Sequence, residues 1–185
     1  MVEEVYSKTQ DKMQKSIQAL NRELDTIRTG RANPALLDGI QVEAYGATTP
    51  LTQLASISTP DPRSLLVQPW DRQTIGDIQK AIQKSDLGLN PMSDGVAIRL
   101  IIPDPTEERR REMVKLVKKR VEDVKVAIRN VRRDAVEDLR KMEKDKEISQ
   151  DEDRRAQDKL QKLTDSFIEK ASQVGQAKEK EIMEV

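Results

Sequence analysis

From Thr106 to Lys146 the chain runs for roughly forty residues without a proline or a glycine. Its apolar positions are Met113, Val117, Val121, Val124, Ile128, Val131, Ala135, Leu139 and Met142. They recur every three or four residues, so a single helical stripe collects them. At 1.5 Å per residue such a helix is about 60 Å long. No small compact core can cover a stripe of that length, so partner helices of similar length must exist elsewhere in the chain. The same stretch is also strongly basic: Arg109 to Arg133 holds eleven Lys/Arg against three acids, Glu112, Glu122 and Asp123.

Composition supports long helices over a bulky core. Of 185 residues 36% are charged and 2% aromatic, and the net charge is zero, so the placement of charge carries the information and its total does not. There is no cysteine and no histidine. That excludes disulfides, thiol catalysis and zinc sites built on Cys or His, and it removes the commonest general base. The start, MVEEVYSK, lacks the pattern of a secretory signal, and no apolar run reaches the ~20 residues of a membrane span. A soluble, cytoplasmic protein is the expectation.

Residues 2–29 read as a first helix, with Met13, Ile17, Leu20, Leu24 and Ile27 as a heptad-like seam, Arg28 in its last turn and Gly30 at its C-terminal stop. Composition then shifts. All eight prolines fall between Pro34 and Pro105, and charge thins out. Ile40–Tyr45 alternates like a half-buried strand, followed by a turn over Tyr45–Thr48. Further strands are predicted at Leu54–Ser58, Leu65–Gln68 and Val96–Ile102, a short helix at Thr74–Lys84, a loop at Gly88–Pro91 and a turn at Ser93–Gly95. Trp70 is expected to pack partly buried, with a functional contact as the alternative. Thr106 then caps the long helix, and Ser149-Gln-Asp-Glu152 has the form of a capping box for a last helix with Ala156, Leu160, Leu163, Phe167, Ala171 and Val174 as its seam.

The predicted fold class is therefore α+β. An antiparallel three-helix bundle (1–30 and 105–185) carries a small β/α/β domain (31–104) inserted between its first and second long helices, in an L-shaped or hinged arrangement. Gly30, Arg31, Pro103, Asp104 and Pro105 are the hinge candidates, although Gly30 reads equally as an ordinary helix stop.

Arg111, Lys115, Lys118, Lys125, Arg129 and Arg132 follow helical spacing and form a stripe over 100° from the apolar seam; Arg110, Arg120 and Arg133 are expected to widen it. It extends about 33 Å, enough to meet several phosphates of a folded nucleic acid. The competing reading is a solvated face with ion pairs along the helix. No helix-turn-helix, zinc-finger or basic-zipper pattern occurs, and the inserted segment lacks an aromatic stacking motif, which leaves backbone and shape recognition of structured RNA. Asp151-Glu-Asp153 resembles a metal cluster only superficially, since acids at a helix start favour the dipole. Phosphate-binding glycine loops and nucleophile-elbow motifs are absent from the sequence.

Several blocks of sequence resemble the ribosome recycling factor family. They are Arg28-Thr-Gly-Arg-Ala-Asn-Pro-Ala-Leu-Leu-Asp38, Asp86-Leu-Gly-Leu-Asn-Pro91, Ile102-Pro-Asp-Pro-Thr-Glu-Glu-Arg-Arg110, Arg129-Asn-Val-Arg-Arg-Asp-Ala135, Asp145-Lys-Glu-Ile-Ser149 and Gln161-Lys-Leu-Thr-Asp165. The resemblance implies a hinged three-helix bundle shaped like a transfer RNA. It implies a monomer that acts after termination, splitting ribosomes into subunits with elongation factor G and GTP before initiation factor three clears the small subunit. It implies no catalytic centre, metal or cofactor. By the same resemblance, Arg129, Arg132 and Arg133 contact large-subunit ribosomal RNA, with Arg28 and Arg31 as junction contacts. Arg110, Arg111, Lys115, Lys118 and Lys125 rest on the stripe. The run Pro60-Asp-Pro62 and Pro69-Trp70 departs from the family pattern and leaves the surface for elongation factor G open. A coiled-coil adaptor or co-chaperone and a generic RNA-backbone binder stand as alternatives.

Overall fold

A computed structural model describes residues 1–27 and 29–184. In chain order the elements are α1 (Val2–Asp25), β1 (Gln41–Ala44), β2 (Ala47–Pro50), β3 (Ala55–Asp61), β4 (Ser64–Pro69), α2 (Ile75–Lys84), β5 (Pro91–Ser93), β6 (Ile98–Ile101), α3 (Glu107–Lys144) and α4 (Gln150–Glu184), with 3-10 turns at Pro34–Leu37, Leu51–Gln53 and Arg72–Thr74. They form two compact units: Met1–Thr29 with Thr106–Glu184, and Gly30–Pro105.

The first unit is a bundle of α1, α3 and α4. The 38 residues of α3 begin where the Thr106 hydroxyl accepts the Arg109 N–H at 3.1 Å, with Glu107 and Glu108 in the positive first turn. The helix ends at Asp145. Lys146 adopts φ 61°, Ile148 plugs the bundle end at 7% exposure, and the Ser149 hydroxyl accepts the Glu152 N–H at 3.0 Å to start α4. The short connection returns α4 antiparallel to α3. Met13, Ile17, Leu20 and Leu24 of α1 pack with Met113, Val117, Val121 and Ile128 of α3 and with Leu163, Phe167 and Ala171 of α4. A second cluster, Ala135, Val136, Leu139, Ile148, Ala156 and Leu160, lies at the end where α3 turns into α4.

The first helix is shorter than its periodicity predicts. It closes at Asp25, with Thr26 as its C-cap; the Thr26 hydroxyl donates to the Glu23 carbonyl at 2.6 Å. Gly30, at φ 84°, therefore lies beyond the helix and does not cap it. Thr29 is buried, and its hydroxyl donates to Glu181 of α4 at 3.3 Å; Lys178 braces the same carboxylate at 3.4 Å.

The second unit holds a hairpin of β1 and β2 and an antiparallel sheet in the order β3-β4-β6-β5. Tyr45 (φ 54°) and Gly46 (φ 75°) make the two-residue turn of the hairpin, so the expected four-residue turn contracts and Ala47 already belongs to β2. Leu65, Val67, Ile98 and Leu100 alternate onto the inner face, against Ile75, Ile78 and Ile82 of α2. β3 runs three residues past its predicted end, with an irregularity between Ser58 and Asp61 that accommodates Pro60 on an edge strand. β5 occupies the end of the expected loop. β6 starts at Ile98 because the Asp94 carboxylate accepts the N–H groups of Val96 (2.9 Å) and Ala97 (2.8 Å) and holds both in a turn. Those hydrogen bonds, Ala97 foremost, keep the Asp94 carboxyl below the ordinary carboxylate range.

Trp70 is a correction: its side chain is 69% exposed. Only its backbone is tied in, the N–H donating to the Leu54 carbonyl at 3.1 Å just past the end of β4. Tyr45, 70% exposed, donates its hydroxyl to the neighbouring Asp71 carboxylate, which raises the phenol above its ordinary value and lowers the acid.

One close approach in the bundle is specific to glycine. A Cβ built on Gly175 of α4 would stand 2.5 Å from Val121 Cγ2 on α3. Gly175→Ala gains about 1 kcal/mol of helix propensity but forces a β-branched side chain to move, at about 1–3 kcal/mol. The expected net effect is destabilisation of about 0–2 kcal/mol in chemical denaturation. The double variant Gly175→Ala, Val121→Ala should be more stable than the sum of the single changes; strict additivity would show that the two helices do not touch at this point.

Candidate nucleic-acid interface

The open face of α3 follows from the geometry of its seam. Positions 111, 115, 118, 129 and 133 stand well outside the buried stripe at 100° per residue, and all five are exposed. Lys125 and Arg132 flank the stripe and are half-buried. Arg110 does not widen the open face as expected. It lies within the angular span of the seam, is half-buried, and keeps its Nε buried without a hydrogen-bond partner. Arg120 turns the opposite way and reaches Glu23 of α1 at 3.9 Å.

Ion pairs divide the remaining cations into two groups. Arg109 contacts Glu112 at 3.1 Å, Arg111 contacts Glu107 at 2.6 Å, and Arg129 contacts Glu122 at 3.7 Å. Glu122 thus fills the seven-residue gap in the basic stripe and shares its charge with Arg129. All three pairs are about half exposed or more, and pairs of that kind are worth about 0–1 kcal/mol, so they hold the arginines loosely. Among the described residues, Lys115, Lys118, Lys125, Arg132 and Arg133 have no ion-pair partner. The side chains with no internal use for their charge run along about half of α3, from Lys115 to Arg133.

The junction candidates sit apart from this face in sequence. Arg28 lies outside the described residues, and Arg31 is exposed. Pro103 and Asp104 are exposed and Pro105 is half-buried. A feature with no sequence signal joins the two ends of the inserted unit. The turn between β3 and β4 accepts the Ala32 N–H on the Pro62 carbonyl at 2.7 Å and the Ile102 N–H on the Arg63 carbonyl at 2.8 Å. The Arg63 guanidinium also pairs with Asp104 at 2.5 Å. Both connecting strands are therefore fastened to one turn.

The acidic run at the start of α4 has local partners. Asp151 pairs with Arg155 at 2.6 Å, and both carboxylate oxygens of the buried Asp153 accept from the Gln157 amide (3.0 and 3.1 Å). No group of acids that could hold a metal ion occurs among the described residues. No helix among them is long and apolar enough to cross a membrane.

A discontinuous long-helix bundle, an α+β insertion and an open polycationic helix face define a distinctive class of two-unit protein. The chain belongs to the ribosome recycling factor family, whose model matches residues 20–183. It is 57% identical to the ribosome-recycling factors of Halalkalibacterium halodurans and Bacillus subtilis and 54% identical to that of Symbiobacterium thermophilum, in each case over 100% of both chains. It is also similar to a solution structure of the ribosome recycling factor, with a TM-score of 0.71 and 42% identity, covering 100% of this chain and 98% of the other. A second likeness is to models for the T. thermophilus ribosome recycling factor and the E. coli elongation factor G bound to the E. coli post-termination complex. There the TM-score is 0.62 and the identity 49%, over 98% of both chains.

If the open cations serve no structural purpose, neutralising them leaves the fold alone. Lys115→Gln with Lys118→Gln should shift unfolding free energy by no more than about 0.5 kcal/mol. Arg110→Ala, which strips a stem packed beside the seam, should cost about 1 kcal/mol or more. Equal losses from both changes in denaturant titrations would contradict this division.

Proposed function

We propose that this chain recycles ribosomes after termination, acting with elongation factor G in the cytoplasm as a monomer. The observation that carries the reading is the full-length likeness, at 49% identity, to a recycling factor bound with elongation factor G to a post-termination complex. On this reading elongation factor G supplies the chemistry by hydrolysing GTP. This chain contributes binding and leverage, with no catalytic centre or cofactor of its own. The ribosome separates into subunits for reuse, and initiation factor three acts afterwards.

The open face of α3 is the proposed anchor. Arg129, Arg132 and Arg133, supported by Arg111, Lys115, Lys118 and Lys125, would neutralise phosphates of large-subunit ribosomal RNA. Arg28 and Arg31 would add contacts at the junction, and Arg110 would assist from the edge. Arginine suits this task because its planar guanidinium engages phosphate through two hydrogen bonds. Arg132 lies about 39 Å along the helix from Thr106, so force applied near that end acts through a long arm. The proposed flexure is at Gly30–Arg31 and Pro103-Asp104-Pro105; Gly30 at φ 84° is compatible with such a role.

A subunit-splitting assay with elongation factor G and GTP tests the whole reading. The chain should accelerate splitting, and Arg132→Ala should weaken binding to the large subunit and flatten its log–log salt dependence by roughly one unit. Splitting without any dependence on this chain would overturn the assignment. Sedimentation with both subunits absent any preference would favour a generic RNA binder. For the flexure, cysteines placed one in each unit of this cysteine-free chain and joined by a short cross-linker should preserve binding and reduce splitting. Undiminished splitting by the locked protein would remove bending as a requirement.

A further inference from the structure

The bundle does not close completely at the end where α1 begins. A cavity of about 430 Å³ lies between the first turns of α1 and the first half of α4. Its apolar lining includes Val2, Val5 and Tyr6 of α1, Leu139 of α3, and Ala156 and Leu160 of α4. The sequence explains the space. Deeper in the bundle the α1 seam supplies Met13, Leu20 and Leu24, all nearly fully buried. At this end it supplies two valines opposite an alanine, and Val2, Val5 and Tyr6 are only partly buried against the cluster they join. Small side chains on two facing helices leave unfilled volume.

The polar groups at the cavity are few and mostly donors. Lys159 and Lys162, one turn apart on α4, belong to its lining. Among the described residues neither has an ion-pair partner, and the Tyr6 hydroxyl has no hydrogen-bond partner. Ser166 is already committed, its hydroxyl donating to the Leu163 carbonyl at 2.7 Å. Glu3 lies on the α1 side, a single acid against two ammonium groups. A cavity in the size range of small-molecule sites, apolar inside and cationic at its edge, suits an amphiphile. The lining is aliphatic apart from one tyrosine, so it matches a flexible hydrocarbon chain better than a flat ring, which would call for facing aromatics.

We propose that this cavity binds a medium-chain carboxylate. The hydrocarbon chain lies among Val2, Val5, Leu139 and Leu160, and the head group is held by Lys159 and Lys162 with the Tyr6 hydroxyl as a further donor. Occupancy fills the gap under the first turns of α1 and fastens them to α4. The site is separate from the open face of α3 and independent of any role on the ribosome.

The test uses the full chain with decanoate, decanol and a decyl ammonium salt as probes, each below its micelle concentration, read by methyl chemical shifts. Decanoate should saturably shift the methyls of Val2, Val5, Leu139, Ala156 and Leu160 and leave those around Ile17 and Val121 unmoved. Decanol should bind about tenfold more weakly, and the ammonium probe more weakly still. Lys159→Gln with Lys162→Gln, both at the surface, should erase the preference for decanoate without altering the fold. Ala156→Leu, which fills the space, should abolish binding of decanoate and decanol together. Absence of saturable shifts at these methyls, decanol binding as tightly as decanoate, or a preference that survives the lysine exchange would each overturn the proposal.

Discussion

A 38-residue helix with one apolar stripe is stable in water only if something covers that stripe along its length, and α3 sets this demand for the whole chain. α1 and α4 meet it with seams of their own. The deepest positions, among them Met13, Leu20, Val117, Ile128 and Ala171, are fully excluded from solvent. Everything else is arranged around that coverage. The Thr106 and Ser149 caps set where the long helices begin. Ile148 is buried at the turn between α3 and α4, and Gly175 lets α4 approach α3 closely enough for Val121 to pack directly on backbone. The inserted unit keeps its own separate core under the four-stranded sheet.

The exposure of charge on α3 follows from the same geometry. A helix buried on one side within a three-member bundle leaves an arc facing water, and here that arc is filled with cations in excess of the available acids. The intrahelical pairs to Glu107, Glu112 and Glu122 are exposed and weak, so a polyanion can compete for Arg109, Arg111 and Arg129 at little cost. Lys115, Lys118 and Arg133 need no release at all. This is how a chain of zero net charge can present a strongly cationic surface.

The sequence is most readable where one residue's role depends on its immediate neighbours. The seam of α3, the Thr106 cap and the Ser149 cap are all local patterns. Strands β2 and β5 escape such a reading because each is three or four residues long and carries a proline; pairing with β1 and β6 makes them strands. Trp70 defies expectation because its type usually packs inward, whereas only its backbone is engaged here. Within the basic stripe, the angular separation from the seam is legible. The same 100° arithmetic places Arg110 on the seam, against the expectation that it widens the stripe, whereas the reach of Arg120 to Glu23 depends on the register of a neighbouring helix.

The turn that fastens Ala32 and Ile102 has a consequence for how the bundle assembles. Between α1 and α3 the unfolded chain must close a loop that runs from Gly30 to Pro105. Once the inserted unit has folded, its two ends stand side by side on the Pro62 and Arg63 carbonyls, and the bundle meets the equivalent of a short connection. By polymer scaling, shortening the effective loop in this way lowers the closure entropy by roughly 2 kcal/mol. Folding of the insertion thus removes a closure cost that its length would otherwise impose on the bundle, and a loss of the clasp would be felt as lower bundle stability even though no bundle residue had changed.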